Sequence, residues 1–561
     1  MVDRERPRLG RRGFFFVAAI FHGKGLLQWV PPEFAAMRIV CIVFALLLTG
    51  FSAHAQPGAS GFFAFVLLGE GSDGRPVPMV RSVAERALSC PVLRSSAGGT
   101  STAMTPRRRP PGGQFDAVTV CEARYPVGEA ASVFMGDRRI DLPTVSLGTP
   151  RRVVLIGDSG CRGPALDKPQ DCGGDGFARV WPFGVLSDEE ADKRPDLIVH
   201  VGDYNYRGTE RGLVLPPRVT GYAAPLNVNV YDTGDLDDED VASLPIGAAY
   251  WSQNIEGSPN PDKWSNWRDD FFAPAAKLLV AAPWLMSRGN HELCSRGGPG
   301  WFYLLDAGSA LLGPGHKQEE CPPQLPADWR PGAWPKPPAL PFAGLPFPTH
   351  TSAPFRLKLG KLNIIAVDSA NAADAVLFNL ETYLTQYREV ARMLAEDQTP
   401  TWLVTHRPIW AVVKRDKGGP IGLTPYGFIN ETQREAINRV FHDGWPRHVT
   451  AVIAGHMHRF QAIGFEGLHP PHLAVGTGGM ELSHVQPPPS PDNPKAPVRV
   501  EGLDRSPAYV VGLRDFAAMI VRPVEDGTWT SVLYGAAGDA LAICDSRWPG
   551  PGSRRSVCEL K

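Results

Sequence analysis

Five stretches of the sequence end apolar runs with residues that can hold a cation. They are Gly157-Asp158-Ser159-Gly160, Gly202-Asp203-Tyr204-Asn205-Tyr206, Gly289-Asn290-His291-Glu292, Thr405-His406 and Gly455-His456-Met457-His458. The candidate ligands are Asp158, Asp203, Tyr206, Asn290, His406, His456 and His458. A carboxylate such as Asp203 has two oxygens and can bridge two cations. A phenol three residues later, Tyr206, can reach one of the same cations from the loop. Two imidazoles alternating about a small loop, His456 and His458, can serve adjacent metals. Mixed oxygen and nitrogen ligands suit iron, manganese or zinc, and a phenolate favours a hard trivalent ion. Each residue alone also has a bland reading. A Gly-Asp after a strand is commonly a turn in which the Asp caps its own backbone. Asn290 alone fits a left-handed turn, and His406 alone fits a satisfied buried histidine. The set reads differently, because five strand ends deliver polar groups in one topological direction.

The elements that must position them follow from the apolar runs. Runs ending at Ile156, Val201, Met286, Val367, Val404, Ala454 and Val475 are short and apolar, the pattern of buried strands in an α/β protein. Trp264, Trp267 and Phe271 have helical spacing, limited by Pro274. Tyr383, Tyr387, Val390, Ala391 and Leu394 form one face of a helix. The tail from Tyr509 to Ile543 reads as antiparallel strands, with Glu525-Asp526-Gly527 as a hairpin turn. Residues 56–148 read as a separate β-rich N-terminal domain, and 149–561 as the catalytic domain. Within the first, Arg107-Arg108-Arg109 reads as a solvated loop. Insertions interrupt the second: 207–260, with the acidic cluster Asp235 to Asp240, and the Pro-rich stretches 322–348 and 486–506. The acidic cluster lacks the ordered spacing of a calcium loop. The Pro-rich stretches fit pocket walls or surface decoration.

Lys+Arg total 57 against 58 Asp+Glu, so nothing in the charge supports nucleic-acid binding. Met37-Arg38, the apolar run from Ile39 to Leu48 and Ala53-His54-Ala55 make a signal peptide over 37–55, with cleavage expected after Ala55. Residues 1–36 read as an extension ahead of the true start at Met37. The apolar run is shorter than the ~20 residues a spanning helix needs, so no membrane anchor is expected after cleavage. A periplasmic or secreted protein is the implied product. Setting Cys41 aside leaves eight cysteines, an even number that favours disulfides after export. They fall in local couples, Cys90 with Cys121, Cys161 with Cys172, Cys294 with Cys321 and Cys544 with Cys558, although eight cysteines allow many pairings.

The ordered set Gly-Asp-x-Gly, Gly-Asp-x-x-Tyr, Gly-Asn-His-Glu, a His after an apolar strand and Gly-His-x-His resembles the calcineurin-like metallophosphoesterases. Tyr206 matches their purple acid phosphatase branch, and His406-Arg407-Pro408-Ile409-Trp410 is similar to a motif of its small members. The resemblance covers about 150–480. It implies a four-layer α/β/β/α sandwich with a dinuclear centre. Asp158, Asp203, Tyr206 and His458 would hold Fe(III), and Asp203, Asn290, His406 and His456 a divalent Fe, Zn or Mn. His291 would be the catalytic residue at the leaving oxygen, with Glu292 orienting its neighbours. The implied reaction is cleavage of a phosphomonoester by a metal-bound hydroxide. The family often carries a further histidine just after the Trp410 position. Ala411 to Arg415 contains none, so Arg407, Lys414 or Arg415 is the expected phosphate contact. Competing readings are a phosphodiesterase or nucleotidase of the same superfamily, and a surface-binding protein on a phosphatase fold.

Overall fold

Short apolar strands buried on both faces pair in parallel beneath covering helices. Val153–Ile156, Leu197–His200 and Trp284–Met286 do so, with Val154 opposite Ile198 and Ile198 opposite Trp284. They are the centre of an eleven-stranded sheet in the computed structural model. Leu362–Ala366, Thr401–Val404, Val449–Ala454 and His472–Val475 run parallel at the centre of a second, seven-stranded sheet. The structure describes residues 61–561 apart from 111–112, 163–169, 174–179, 207–261, 295, 322–350, 373–379, 412, 415–425, 428–429, 443, 466–468, 484–507, 525 and 548–556. The expected extension, signal peptide, acidic cluster and Pro-rich insertions lie outside the described residues, as do Arg415 and the Lys414 side chain.

Alternation along the strands sets the layers. Val153, Leu155, Leu197 and Val199 face Ile364, Trp402, Ile453 and Leu473 in a core between the two sheets. The intervening Val154, Ile156 and Ile198 face the helices Phe183–Asp192, Ala276–Leu279 and Gly298–Leu304. On the far side Ile365, Leu403 and Val452 pack against Leu380–Glu396 and Glu431–Val440. This is the expected α/β/β/α order. The long helix buries Tyr383, Tyr387, Val390 and Leu394, as its spacing requires. Full burial of Val390 or Leu394 contributes roughly 1.5–3 kcal/mol each. Trp264–Trp267 is a single α-turn that widens into a π-helical turn over Arg268–Phe272, just ahead of Pro274. The tail strands divide between sheets. Ala508–Leu513 joins the second, whereas Ala517–Pro523, Trp529–Gly535 and Ala540–Asp545 join the first.

The N-terminal region departs from the expected separate domain. Phe62–Glu70 pairs in parallel with Trp284–Met286, Leu67 opposite Trp284, and Pro76–Glu85 and Val118–Arg124 extend the same sheet outward. Phe62 to Leu68 is apolar on both faces, so it needs cover on both faces. Only Val92–Ser95, Ser101–Ala103, Ala131–Met135 and Arg138–Leu142 form a small sheet of their own. Residues 56–561 are one compact unit. The four cysteine couples are each closed as disulfides, Cys90–Cys121, Cys161–Cys172, Cys294–Cys321 and Cys544–Cys558. Among the described residues no helix is long and apolar enough to cross a membrane.

The arginine run is also corrected: Arg107 is buried. Its Nη1 lies 2.6 Å from Glu122 Oε2, and Arg81 Nη2 lies 3.1 Å from the same oxygen. Ser309 Oγ donates to the other oxygen of Glu122. Arg81 also donates to the carbonyls of Leu304 and Asp306, and Arg107 to that of Phe302. The two guanidiniums thus satisfy carbonyls at the C-terminus of Gly298–Leu304, where a helix presents orphan acceptors and favours cations. Burial opposes ionisation of Glu122, but Arg81 and Arg107 outweigh it and hold the carboxyl below its ordinary range. Glu122→Gln should lower stability by roughly 3–5 kcal/mol at neutral pH, because it strips two buried cations of their counterion. A depressed carboxyl stabilises above its unfolded pKa, and that contribution disappears as pH falls through the folded value. Urea unfolding should show the wild-type advantage at pH 7 shrinking below about pH 4. An advantage that persisted unchanged in acid would contradict this assignment.

Candidate metal centre

The parallel strands of both sheets end at the same edge of the sandwich, and the polar stretches follow them there. Each chain must then turn its side chain back over the sheets. Asp158, Asp203, His456 and His458 do this in left-handed backbone, with φ of 53°, 60°, 69° and 46°. Such a conformation costs an L-residue roughly 1–2 kcal/mol, and it persists where the surroundings over-determine it. Two glycines permit the approach of the loops. A Cβ on Gly202, at φ 105°, would lie 2.5 Å from His406 Nδ1, and one on Gly289 would lie 2.0 Å from Asp203 Oδ1.

The seven candidate ligands converge. Asp158, Asp203 and His458 present atoms within 4.8 Å of one another, and so do Asp203, His406 and His456. Asp203 belongs to both groups. Tyr206 Oη joins the first, 2.8 Å from Asp203 Oδ2, 3.0 Å from His458 Nε2 and 3.4 Å from Asp158 Oδ1. Asn290 Oδ1 joins the second, 2.8 Å from both His406 Nε2 and His456 Nδ1. The His406 ring shows what the second group is suited to. Its Nδ1 lies 2.8 Å from the Val201 carbonyl and donates to it. In the neutral ring Nε2 is then a lone pair, facing Asn290 Oδ1 and, at 3.3 Å, Asp203 Oδ2. Lone pairs converging from an imidazole, an amide and a carboxylate call for a cation, and an imidazole whose other nitrogen donates to a carbonyl is oriented as metal-binding histidines are. The donor set therefore fits metal ions.

The scaffold under the ligands was only partly expected. Glu292 accepts N–H bonds from Asp203, Tyr204, Asn205 and Gly289, at 3.0, 2.8, 3.3 and 3.0 Å. His200, not singled out from the sequence, ties the first two ligand loops together. Gly202 N–H donates to its Nδ1 at 3.2 Å, so Nε2 carries the proton and donates to Ser159 Oγ at 2.9 Å. Its ring stacks on Tyr204 with centroids 3.9 Å apart. Asp270, in the π-helical turn, accepts from Tyr206 N–H at 3.3 Å. Ser369 Oγ accepts the N–H groups of His406 and Arg407. A histidine interrupting an apolar strand was the one available signal for His200. Asp270 and Ser369 carried none, since their partners are remote in sequence.

A family model for calcineurin-like phosphoesterases matches residues 151–460, more than half of the chain. The chain belongs to the calcineurin-like phosphoesterase family. No curated protein sequence matches it. Among solved structures, a purple acid phosphatase, PPD1 from yellow lupin (Lupinus luteus) seeds, superposes with a TM-score of 0.45 at 12% identity, over 85% of this chain and 72% of that one. GAP50, described as the anchor in the inner membrane complex of Plasmodium, superposes with a TM-score of 0.33 at 11% identity, over 71% of this chain and 88% of that one.

In this calcineurin-like phosphoesterase the charges oppose one another. Burial and Asp203 push the Asp158 carboxyl well up. Burial also opposes ionisation of Asp203, but His406 and His291 outweigh it and pull its carboxyl well below the usual range. Burial, Asp203 and Asp158 push the Tyr206 phenol well up. His291 lies with its ring 3.9 Å from that of Tyr206, and its backbone N–H donates to Asp203 Oδ1 at 2.8 Å. Arg407 is fully buried, with Nη1 3.3 Å from His456 Nε2. It therefore contacts the ring of a candidate ligand, His456. The contact between Gly289 and Asp203 yields a test of the phosphoesterase centre. Gly289→Ala should lower metal affinity about tenfold or more, measured by metal analysis after dialysis, with an unchanged far-ultraviolet circular dichroism spectrum. Retention of full metal would show that the close approach is not needed.

Proposed function

We propose that the chain is an exported, dinuclear-metal phosphohydrolase acting on phosphomonoesters. The observation that carries this reading is the pair of ligand groups sharing Asp203. Asp158, Asp203, Tyr206 and His458 hold a ferric ion, and Asp203, Asn290, His406 and His456 hold a divalent Fe, Zn or Mn. A space argument supports the tyrosine-bearing branch of the family. A Cβ at Gly160 would lie 2.6 Å from Tyr206 Cδ2, so the phenol ring fills the room a larger residue would need. Burial and two carboxylates hold that phenol neutral, so only a strongly polarising cation makes it a phenolate ligand. The closed disulfides support export, since oxidised cysteines persist outside the cytosol.

When bound, two cations neutralise phosphoryl oxygens and acidify a water. The chain's own groups do the rest. Asp203 holds the two halves in register through Oδ2, which meets both the Tyr206 hydroxyl and the His406 ring. His291, tied by its backbone N–H to Asp203, delivers a proton from its ring to the leaving alkoxide oxygen. Arg407 fixes the ring of His456, and Glu292 fixes the loop that carries Asp203 and Tyr206.

The test uses protein recovered from an exported fraction, whose N-terminus should lie at Gln56. Wild type should hold two metals and prefer phosphomonoesters over diesters. Asp203→Ala should lose both metals, whereas His291→Ala should keep them and lose turnover by roughly 10²–10⁴-fold. Iron-loaded wild type should show a visible phenolate-to-iron band that Tyr206→Phe abolishes. Metal retained in Asp203→Ala, or a band surviving in Tyr206→Phe, would overturn the corresponding assignment. A preference for diesters would overturn the substrate class.

A further inference from the structure

Two kinds of tie join the sheets at their open edge. On the Asp158 side the main chain supplies them. Gly478 N–H donates to the Gly157 carbonyl and Met480 N–H to that of Asp158, each at 2.9 Å. His456 N–H donates to the Asp158 carboxylate at 3.0 Å. On the Asn290 side a buried ion pair spans the sheets. Arg288 follows Trp284–Met286 of the first sheet, and Asp368 follows Leu362–Ala366 of the second. Arg288 Nε donates to both carboxylate oxygens of Asp368, at 3.0 and 3.2 Å. Both residues are buried. Ser352 N–H and Ala370 N–H donate to the same carboxylate, at 2.7 and 3.1 Å, and the guanidinium lies 5.1 Å from the centroid of the Phe302 ring.

Each partner stands close in the chain to a candidate ligand or its support. Arg288 is separated from Asn290 by Gly289 alone. Asp368 precedes Ser369, whose hydroxyl accepts the N–H of His406 at 3.0 Å and that of Arg407 at 2.8 Å. Arg407 Nη1 in turn lies 3.3 Å from His456 Nε2. The contacts close a ring. It runs from Arg288 to Asp368, through Ser369 to His406, from His406 Nε2 to Asn290 Oδ1 at 2.8 Å, and through Gly289 back to Arg288. Asn290 and His406 come from different sheets and must meet one cation, and metal–ligand distances tolerate only about 0.2 Å of error. A buried ion pair is weak evidence for stability, because apolar residues of similar volume often stabilise as well. What the pair supplies here is spacing. We propose that the Arg288–Asp368 pair is a positioning device for the second metal position, fixing the separation of Asn290 and His406 across the two sheets. This deepens the dinuclear reading and rests on it. The position of Asp158, Tyr206 and His458 has its own main-chain ties and does not depend on the pair.

The experiment loads the full chain with iron and zinc. Each metal is quantified after dialysis, and the visible phenolate-to-iron band and the Tm are recorded beside it. The first variant combines Arg288→Met with Asp368→Asn. It removes both charges together, so no buried ion is stranded, and the amide oxygen still accepts from Ser352 or Ala370. Its zinc affinity should fall about tenfold, the loss typical of a disturbed partner of a metal ligand, while iron and its band stay. Arg288→Lys keeps the charges but lacks the planar fork, so its zinc affinity should fall less. It supplies the same readouts should the double variant fail to fold. Zinc affinity unchanged in the folded variant would overturn the proposal. Iron and zinc weakened to the same degree would also overturn it, in favour of a general structural role. Wild type that holds only one metal, or neither, would overturn the dinuclear reading beneath the proposal, a result read before any variant is compared.

Discussion

Everything at the open edge of the sandwich depends on one buried carboxylate, Asp203. It faces a second buried carboxylate, Asp158, across the Tyr206 hydroxyl, and both are fully enclosed. Two carboxylates so enclosed cannot both ionise without cations, and the opposite displacements of their pKa values express that conflict. The surrounding structure holds the conflict in place. Four N–H groups converge on Glu292, left-handed backbone turns four ligands inward, and Gly289 gives way to the Asp203 carboxylate. Such an arrangement is costly empty and stable when filled, which is the physical signature of a site built for metal.

The sheets make this possible because their central strands are parallel. Parallel strands end together, and their carboxyl ends lie where α/β folds place chemistry. The N-terminal strands serve the same end indirectly. Phe62–Glu70 covers the edge of Trp284–Met286, the strand that leads to Asn290, and the ion cluster of Arg81, Arg107 and Glu122 clamps the helix beyond it.

Much of the centre was legible in the sequence because its signals are local. An apolar run followed by a small residue and a metal-binding side chain names both the strand and its cargo. The layers were legible through the strand runs and the face of Leu380–Glu396. What was not legible depends on remote partners. Arg107 looked like part of a solvated loop because Glu122 lies on another strand and the Phe302 carbonyl is far along the chain. The contact between Arg407 and His456 gave no sequence signal because the two residues lie far apart in the chain. Phe62 to Leu68 announced burial on both faces, but not that Trp284–Met286 would lie beside it. His200 lies within an apolar strand, and its bond to Ser159 appears only once two strands are paired. Glu431–Val440 was not foreseen because its sequence is largely polar: its buried positions carry Thr432 and Gln433 beside Ala436 and Ile437.

The most direct test of the shared carboxylate is anomalous diffraction from crystals of the metal-loaded protein. This account predicts two peaks about 3.5–4 Å apart, with one oxygen or the pair of oxygens of Asp203 reaching both. A single peak, or two peaks with Asp203 bound to neither or to only one, would contradict it.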